Sequence, residues 1–254
     1  MLKTRIIPIL LFKDPDIGLV KSVQFDWLRT VGNPINSARV YNSRNVDELI
    51  FLDIGARRDN RPINYKMVND IFKECFVPLT VGGKIETLDD VRKLLLIGAD
   101  KISINTAASE HPEIISKIAN RYGRQCVVVS IDAKLNFSGN YSVYIHGGKR
   151  KLHLNPVAWA KQAERLGAGE ILINSINRDG TRKGFDHQLI KKIASAVKIP
   201  VIAAGGAGEP KHFVEVIKKT NASAVAAASI FYFTQYTPND VKRAMKQSGI
   251  PVRI

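Results

Sequence analysis

Apolar runs of strand length alternate with amphipathic stretches along the whole chain. Eight runs predict strands: Arg5–Leu11, Glu48–Asp53, Pro78–Val81, Lys101–Ile104, Cys126–Asp132, Glu170–Ser175, Pro200–Ala204 and Ala224–Ala228. They are near-continuous Val, Ile, Leu and Ala without polar alternation, as in strands buried on both faces of a parallel sheet. Helical patterns fill the intervals at residues 33–45, 63–75, 86–97, 110–122, 155–167, 186–197, 209–220 and 237–248. Several open on N-capping residues, such as Thr87 before Asp89-Asp90 and Thr237 before Pro238. Eight β/α units in 254 residues predict an α/β fold, a single (β/α)8 TIM barrel spanning residues 1–254. A doubly wound open sheet is the main rival, and the even spacing counts against it.

Two stretches echo each other. Val77-Pro78-Leu79-Thr80-Val81-Gly82-Gly83-Lys84 and Ile199-Pro200-Val201-Ile202-Ala203-Ala204-Gly205-Gly206 are both Pro-started apolar runs that end in a Gly pair and feed a helix. One such turn is an ordinary βα connection. As a pair they suggest an internal repeat and two anion cradles, where backbone N–H groups and a helix N-terminus favour negative charge. A shift of roughly 120 residues superposes Glu48-Leu49-Ile50 on Glu170-Ile171-Leu172, and Leu11 on Asp132. Two half-barrels, about 1–122 and 123–254, are expected, each with an anion site at the strand C-termini.

Composition narrows the function. A hydrophobic content of 45% allows one large core. No stretch approaches the roughly 20 apolar residues of a membrane span, and the run Ile6–Phe12 reads as a first strand rather than a leader. Cys75 and Cys126 are too few for a disulfide framework, which points to a reducing cytoplasm. The His residues lack metal-ligand spacing, so neither a metal nor another cofactor is expected. The net charge of +15 admits nucleic acid, an acidic partner or an anionic substrate. No nucleic-acid motif or aromatic–basic interleaving supports the first.

The longest loops are expected at the face where strands end. They are Phe12–Val23, then Lys134–Leu154 (a hairpin around Ser138-Gly139-Asn140 leading to His146-Gly147-Gly148-Lys149-Arg150-Lys151), and Asn177–Gly184. Basic residues crowd these and the loop of Arg57, Arg58 and Arg61. Singly each is ordinary surface charge; their clustering favours an anionic ligand.

Arg5-Ile6-Ile7-Pro8, Phe51-Leu52-Asp53, Thr80-Val81-Gly82-Gly83, Gly98–Asn105, Val127–Lys134, Gly167–Leu172, Arg178-Asp179-Gly180-Thr181 and Ala203–Gly208 together resemble HisF, the cyclase subunit of imidazole glycerol phosphate synthase. The resemblance covers nearly the whole chain. It implies a lyase-type cyclase, a HisH-like glutaminase docked at the barrel's base in a heterodimer, and ammonia passing through the barrel. An ammonia gate of Arg5, Glu48, Lys101 and Glu170 is implied, and Asp100 and Gln125 match positions facing the glutaminase. One phosphate site would use Gly82, Gly83, Asn105 and Thr106, with Asp53 and Lys84 beside it. The other would use Asp179, Gly180, Thr181, Gly205, Gly206, Ala228 and Ser229. Lys21 matches a lysine of the first flexible loop, here two residues longer.

The departures lie at the reaction end. The family's chemistry uses two aspartates at the ends of strands one and five; Asp132 is present, but Leu11 holds the partner position. Gly55 and Asn174 replace threonines, Asn177 an aspartate, Ala204 a serine, and Lys84 the third Gly of the first turn. The leading expectation is therefore a HisF-like subunit, similar to those of surface-polysaccharide loci, passing ammonia to an anionic, phosphorylated or nucleotide-sugar acceptor. A separate sugar amidotransferase would share in making an acetamidino sugar. The alternatives are a histidine-pathway cyclase in which Asp14 or Asp16 replaces the missing carboxylate, and a non-catalytic scaffold that activates the glutaminase.

Overall fold

A computed structural model describes residues 3–26 and 28–254; Met1, Leu2 and Trp27 lie outside the description. Eight parallel strands form the barrel: β1 (Arg5–Asp14), β2 (Leu49–Asp53), β3 (Leu79–Gly82), β4 (Lys101–Ile104), β5 (Val127–Leu135), β6 (Glu170–Ser175), β7 (Val201–Ala204) and β8 (Ala224–Ala227). They pair in sequence order, and β8 closes on β1 through Arg5↔Ala224 to Pro8↔Ala227. The single TIM barrel predicted from the hydrophobic pattern is the fold.

Strand side chains alternate between the two faces of the barrel wall. Ile7, Ile9, Ile50, Val128, Leu172, Ile202, Ala204, Ala224 and Ala226 fill the interior as one apolar cluster. Their neighbours on the outer face, among them Leu10, Phe51, Val81, Val129 and Ile171, pack under the helices with Trp159 and Phe213 in a larger cluster. Both faces are buried, which is why the strands show no polar alternation.

Corresponding helices recur at a constant offset. Pro34–Ser43 and Pro156–Leu166, Tyr65–Phe72 and His187–Ala194, and Leu88–Ile97 and Pro210–Lys219 each start 122 residues apart, at 34 and 156, 65 and 187, and 88 and 210. The local causes recur too. Asn33 and Asn155 each cap two backbone N–H groups ahead of a Pro at the first helical position. Asn64 and Asp186 hold nearly the same backbone (φ −76°, ψ 85°; φ −81°, ψ 84°) and each caps the N–H three residues on. The third pair differs, for Thr87 forms a full capping box with Asp90 whereas Glu209 has no side-chain cap; Thr237 forms such a box with Asp240 on the last helix, Pro238–Gln247.

The structure corrects three expectations. The segment Phe12–Val23 is not a long loop. β1 runs on to Asp14 and pairs antiparallel with Gly18–Lys21, which pairs in turn with Arg29–Gly32. β5 begins after Cys126, which belongs to a one-turn 3-10 helix, and runs to Leu135 into the expected hairpin with Tyr141–Ile145. Three five-residue helices, Ile54–Arg58, Thr106–Glu110 and Ser229–Phe233, follow β2, β4 and β8. No helix among the described residues is long and apolar enough to cross a membrane.

Candidate active site

At the N-terminal end of the barrel the first inward positions of β1, β4 and β6, with the residue before β2, carry charge. Arg5 contacts Glu48 at 2.7 Å and Glu170 at 3.0 Å; Lys101 contacts the same two carboxylates at 2.9 and 3.1 Å. The four expected gate residues are thus one closed ring of alternating sign. Thr80 Oγ1 donates to the remaining Glu48 oxygen at 2.7 Å. Glu48 is almost fully enclosed (2% side-chain exposure) while Arg5 keeps 25%, so one side of the ring is wet. Two cations per carboxylate offset the desolvation that a lone buried charge would suffer. Asp100 and Gln125 are exposed at this end; Asp100 accepts from the Leu79 N–H, and Gln125 donates to the Tyr122 carbonyl.

At the opposite end lies a cavity of about 800 Å³. Of the expected residues it gathers Leu11, Asp53, Gly83, Lys84, Asn105, Thr106, Asp132, Asp179, Gly180, Gly205, Gly206, Ala228 and Ser229 on one wall system. Asp132 is half-buried as a residue, but its carboxyl is ringed by protein atoms. Asn105 Nδ2 donates to Asp132 Oδ2 at 3.1 Å and to the Ser130 carbonyl at 3.0 Å. Burial first, and the nearby Asp179 charge second, push the Asp132 carboxyl up to about 7, against the Asn105 hydrogen bond. A carboxyl titrating there can both take and give a proton near neutrality. Asp179 is raised as well, by burial, with Ser22 Oγ donating to it at 2.7 Å.

One side of the cavity is basic. Lys13 at the end of β1, Arg57 and Arg58 on the short helix after β2, and Lys84 and Lys149 on the segments after β3 and β5 all line it. Arg57 pairs with Glu86 and Arg58 with Asp59, whereas Lys84 donates to the neutral Asn60 amide. The two cradles are built alike. Asn105 and Ala228 open the short helices Thr106–Glu110 and Ser229–Phe233 with matching backbone (φ −125°, ψ −81°; φ −129°, ψ −64°), and neither helix has a side-chain cap. Gly83 and Gly206, in the turns after β3 and β7, sit at φ 132° and 111°, where a side chain would be strained. His146, on the β5 hairpin, donates its N–H to Thr106 Oγ1 and lies 3.3 Å from Glu110, which Arg150 also holds.

Other expected residues fall elsewhere. Asp53 borders the cavity, but Arg61 takes both carboxylate oxygens (2.7 and 2.8 Å), and the Ala56 and Asn64 N–H groups take the rest. It is a buried cap and organiser of the β2 loop. Gly82 is not on the cavity wall; a Cβ there would meet Leu52 and Ser103. Thr181 turns its hydroxyl to the Arg178 carbonyl. Asp14 caps the Ile17 N–H and, like Asp16, does not line the cavity, so neither stands in for the carboxylate absent at Leu11. The departures have local reasons. A Cβ at Gly55 would overlap the Lys13 carbonyl of the lengthened β1, and Asn177 accepts the Leu135 N–H at the end of the lengthened β5.

Lys21 is the largest displacement from expectation. It lies on the strand Gly18–Lys21, 2% exposed, donates to the Ile9 carbonyl at 3.0 Å and sits 4.8 Å from the Tyr232 ring centre. Burial drives it down to about 7, opposed by Asp179. The unfolded chain binds this proton up to the ordinary lysine range, so the burden on stability is full below about pH 7 and fades as pH rises toward 10. Lys21→Met is expected to raise the thermal midpoint at pH 6 and to raise it less at pH 10, in parallel melts. Residues the sequence left unmarked include Ser22 and Phe25, which carry the β1 loop over the cavity. Gln24 fastens the loop there through the Asp179 and Asn177 carbonyls.

A closed parallel barrel with a large cavity at its strand C-termini has the architecture of a TIM-barrel enzyme. Residues 5–237 match the family described as "Histidine biosynthesis protein", and the chain belongs to that family. Its members are the barrel isomerases and cyclases of that pathway. Among the described residues no group of three or more His, Cys, Asp or Glu is placed to hold a metal.

Proposed function

We propose that this barrel is a HisF-like synthase subunit that conducts ammonia from a HisH-like glutaminase at its base to an anionic acceptor in the cavity. The acceptor is an acetamido sugar of a surface polysaccharide, and a separate sugar amidotransferase shares in the exchange of acyl oxygen for nitrogen. The reading is carried by the joining of an intact charged ring with a cavity in which Leu11 of β1 faces Asp132's side without a carboxylate of its own. Between ring and cavity lies an interior layer that includes Ile7, Ile50, Val128, Ile202 and Ala224. Such a layer passes a neutral molecule far more readily than an ion. The matched elements 122 residues apart support descent of the halves, about 1–122 and 123–254, from one half-barrel.

The test uses the chain reconstituted with its glutaminase and amidotransferase, glutamine labelled with ¹⁵N in the amide, and a nucleotide-linked acetamido sugar. Label is expected in an amidine product. Label entering only the imidazole ring formed from the ribulosyl-aminoimidazole-carboxamide precursor overturns the reading. That second result belongs to the histidine-pathway cyclase, which the family match and the presence of Asp179 in the Asp132 cavity favour.

A further inference from the structure

The cavity floor is divided by strand. Neighbouring strands β4 to β6 contribute the polar Ser103, Asn105, Ser130, Asp132 and Asn174 beside Ile104 and Leu172. The facing arc from β7 through β1 to β2 contributes the apolar Ala204, Ala226, Ala228, Ile9, Leu11 and Leu52, with Lys13 and Asp53 at the ends of β1 and β2. The six apolar side chains of that arc offer a ligand no donor or acceptor. A group apolar on one side and hydrogen-bonding on the other suits it.

Asn174 and Asp132 are ladder partners on β6 and β5, so their backbones stand about 4.8 Å apart. The Asn174 carboxamide oxygen is buried without a hydrogen-bond partner. It is tucked against Gly205, where a Cβ would collide with it. The amide nitrogen is then the end turned to the cavity. Asn105 occupies only Oδ2 of Asp132, which leaves Oδ1 for a ligand. One donor and one acceptor thus sit side by side at the edge of an apolar floor.

We propose that Asn174 reads the acyl oxygen of a secondary amide on the acceptor. Asn174 Nδ2 donates to that oxygen, and the acyl methyl rests on the Leu11, Ala204 and Ala226 face. This assignment rests on the acceptor entering the barrel mouth, and it makes Asn174 a specificity-determining residue. Lys13, Lys84 and Lys149 at the rim receive the acceptor's anionic end.

The experiment is calorimetric titration of the full chain at pH 8 with N-acetylglucosamine 1-phosphate and with glucose 1-phosphate. The two probes differ at one carbon, acetamido against hydroxyl. The N-acetyl compound is expected to bind about tenfold more tightly, the size of one well-made hydrogen bond. Asn174→Leu and Asn174→Ala are expected to bring the ratio to about one by weakening the N-acetyl compound alone. Unchanged glucose 1-phosphate binding shows that the variant is folded. Equal affinities in the unaltered protein, binding of neither probe, or a ratio unmoved in a folded variant overturns the assignment. The ¹⁵N tracer experiment separates this from the wider reading: discrimination without nitrogen transfer removes the ammonia-transfer function and keeps the amide site, and transfer without discrimination does the reverse.

Discussion

Glu48→Ala is expected to lower the stability of the barrel by about 3–5 kcal/mol, the cost of stranding enclosed charges when a shared partner is removed. Glu48 is the hub of the basal ring: one of its oxygens serves Arg5 and Lys101, and the other accepts from Thr80. Truncation leaves two cations to share Glu170 and leaves the buried Thr80 hydroxyl unpaired. At roughly 2–4 °C per kcal/mol for a chain of this size, the thermal midpoint should fall by roughly 6–20 °C. Glu48→Gln keeps the shape and the Thr80 contact, so it should fall less. Urea titrations of the three proteins measure this; a loss below about 1 kcal/mol for Glu48→Ala would mean that the ring behaves as solvated surface pairs.

Asp132→Asn should act on activity and stability in opposite directions. On the proposed function Asp132, whose carboxyl is pushed up to about 7, moves the proton that ammonia addition requires. Its loss is expected to slow ammonia-dependent turnover by about 10²–10⁴-fold. The raised value also means that the folded state holds this proton at pH values where the unfolded chain has released it. Stability contributed by that proton is full below the ordinary Asp range and is lost as pH rises through about 7. Asp132→Asn never has to ionise in the cavity. It should therefore be more stable than the unaltered protein at pH 8, with the advantage vanishing near pH 4, in paired denaturant melts. Equal turnover in the variant would place the chemistry elsewhere.

The fold was legible because burial on both faces of each strand leaves an unbroken apolar run, and eight such runs admit few arrangements. The ring at the base was legible through the family resemblance, and charged residues at the heads of otherwise apolar runs suit such a ring of paired ions. Short-range polar pairing was not. Nothing at Asp53 announces that Arg61, eight residues on, will take both its oxygens. Lys21 read as a loop residue because the antiparallel pairing that buries it depends on β1 continuing through Lys13 and Asp14, which look like the end of a strand. The helices Ile54–Arg58, Thr106–Glu110 and Ser229–Phe233 are too short to show a period. Asn174 was visible only as a departure from family pattern; its buried, unpaired oxygen appears once β6 and β7 are packed.

The most direct test of the central claim is the rate at which the purified chain turns ammonia and the ribulosyl-aminoimidazole-carboxamide precursor into imidazole glycerol phosphate, set beside that of Leu11→Asp. Leu11 ends the apolar arc of the cavity and can neither accept nor donate a proton. The unaltered protein is predicted to run about 10²–10⁴-fold below the variant that regains a second carboxylate. Equal rates, at a level typical of a pathway cyclase, would contradict the account and make this barrel a histidine-biosynthesis cyclase that works with Leu11 in place.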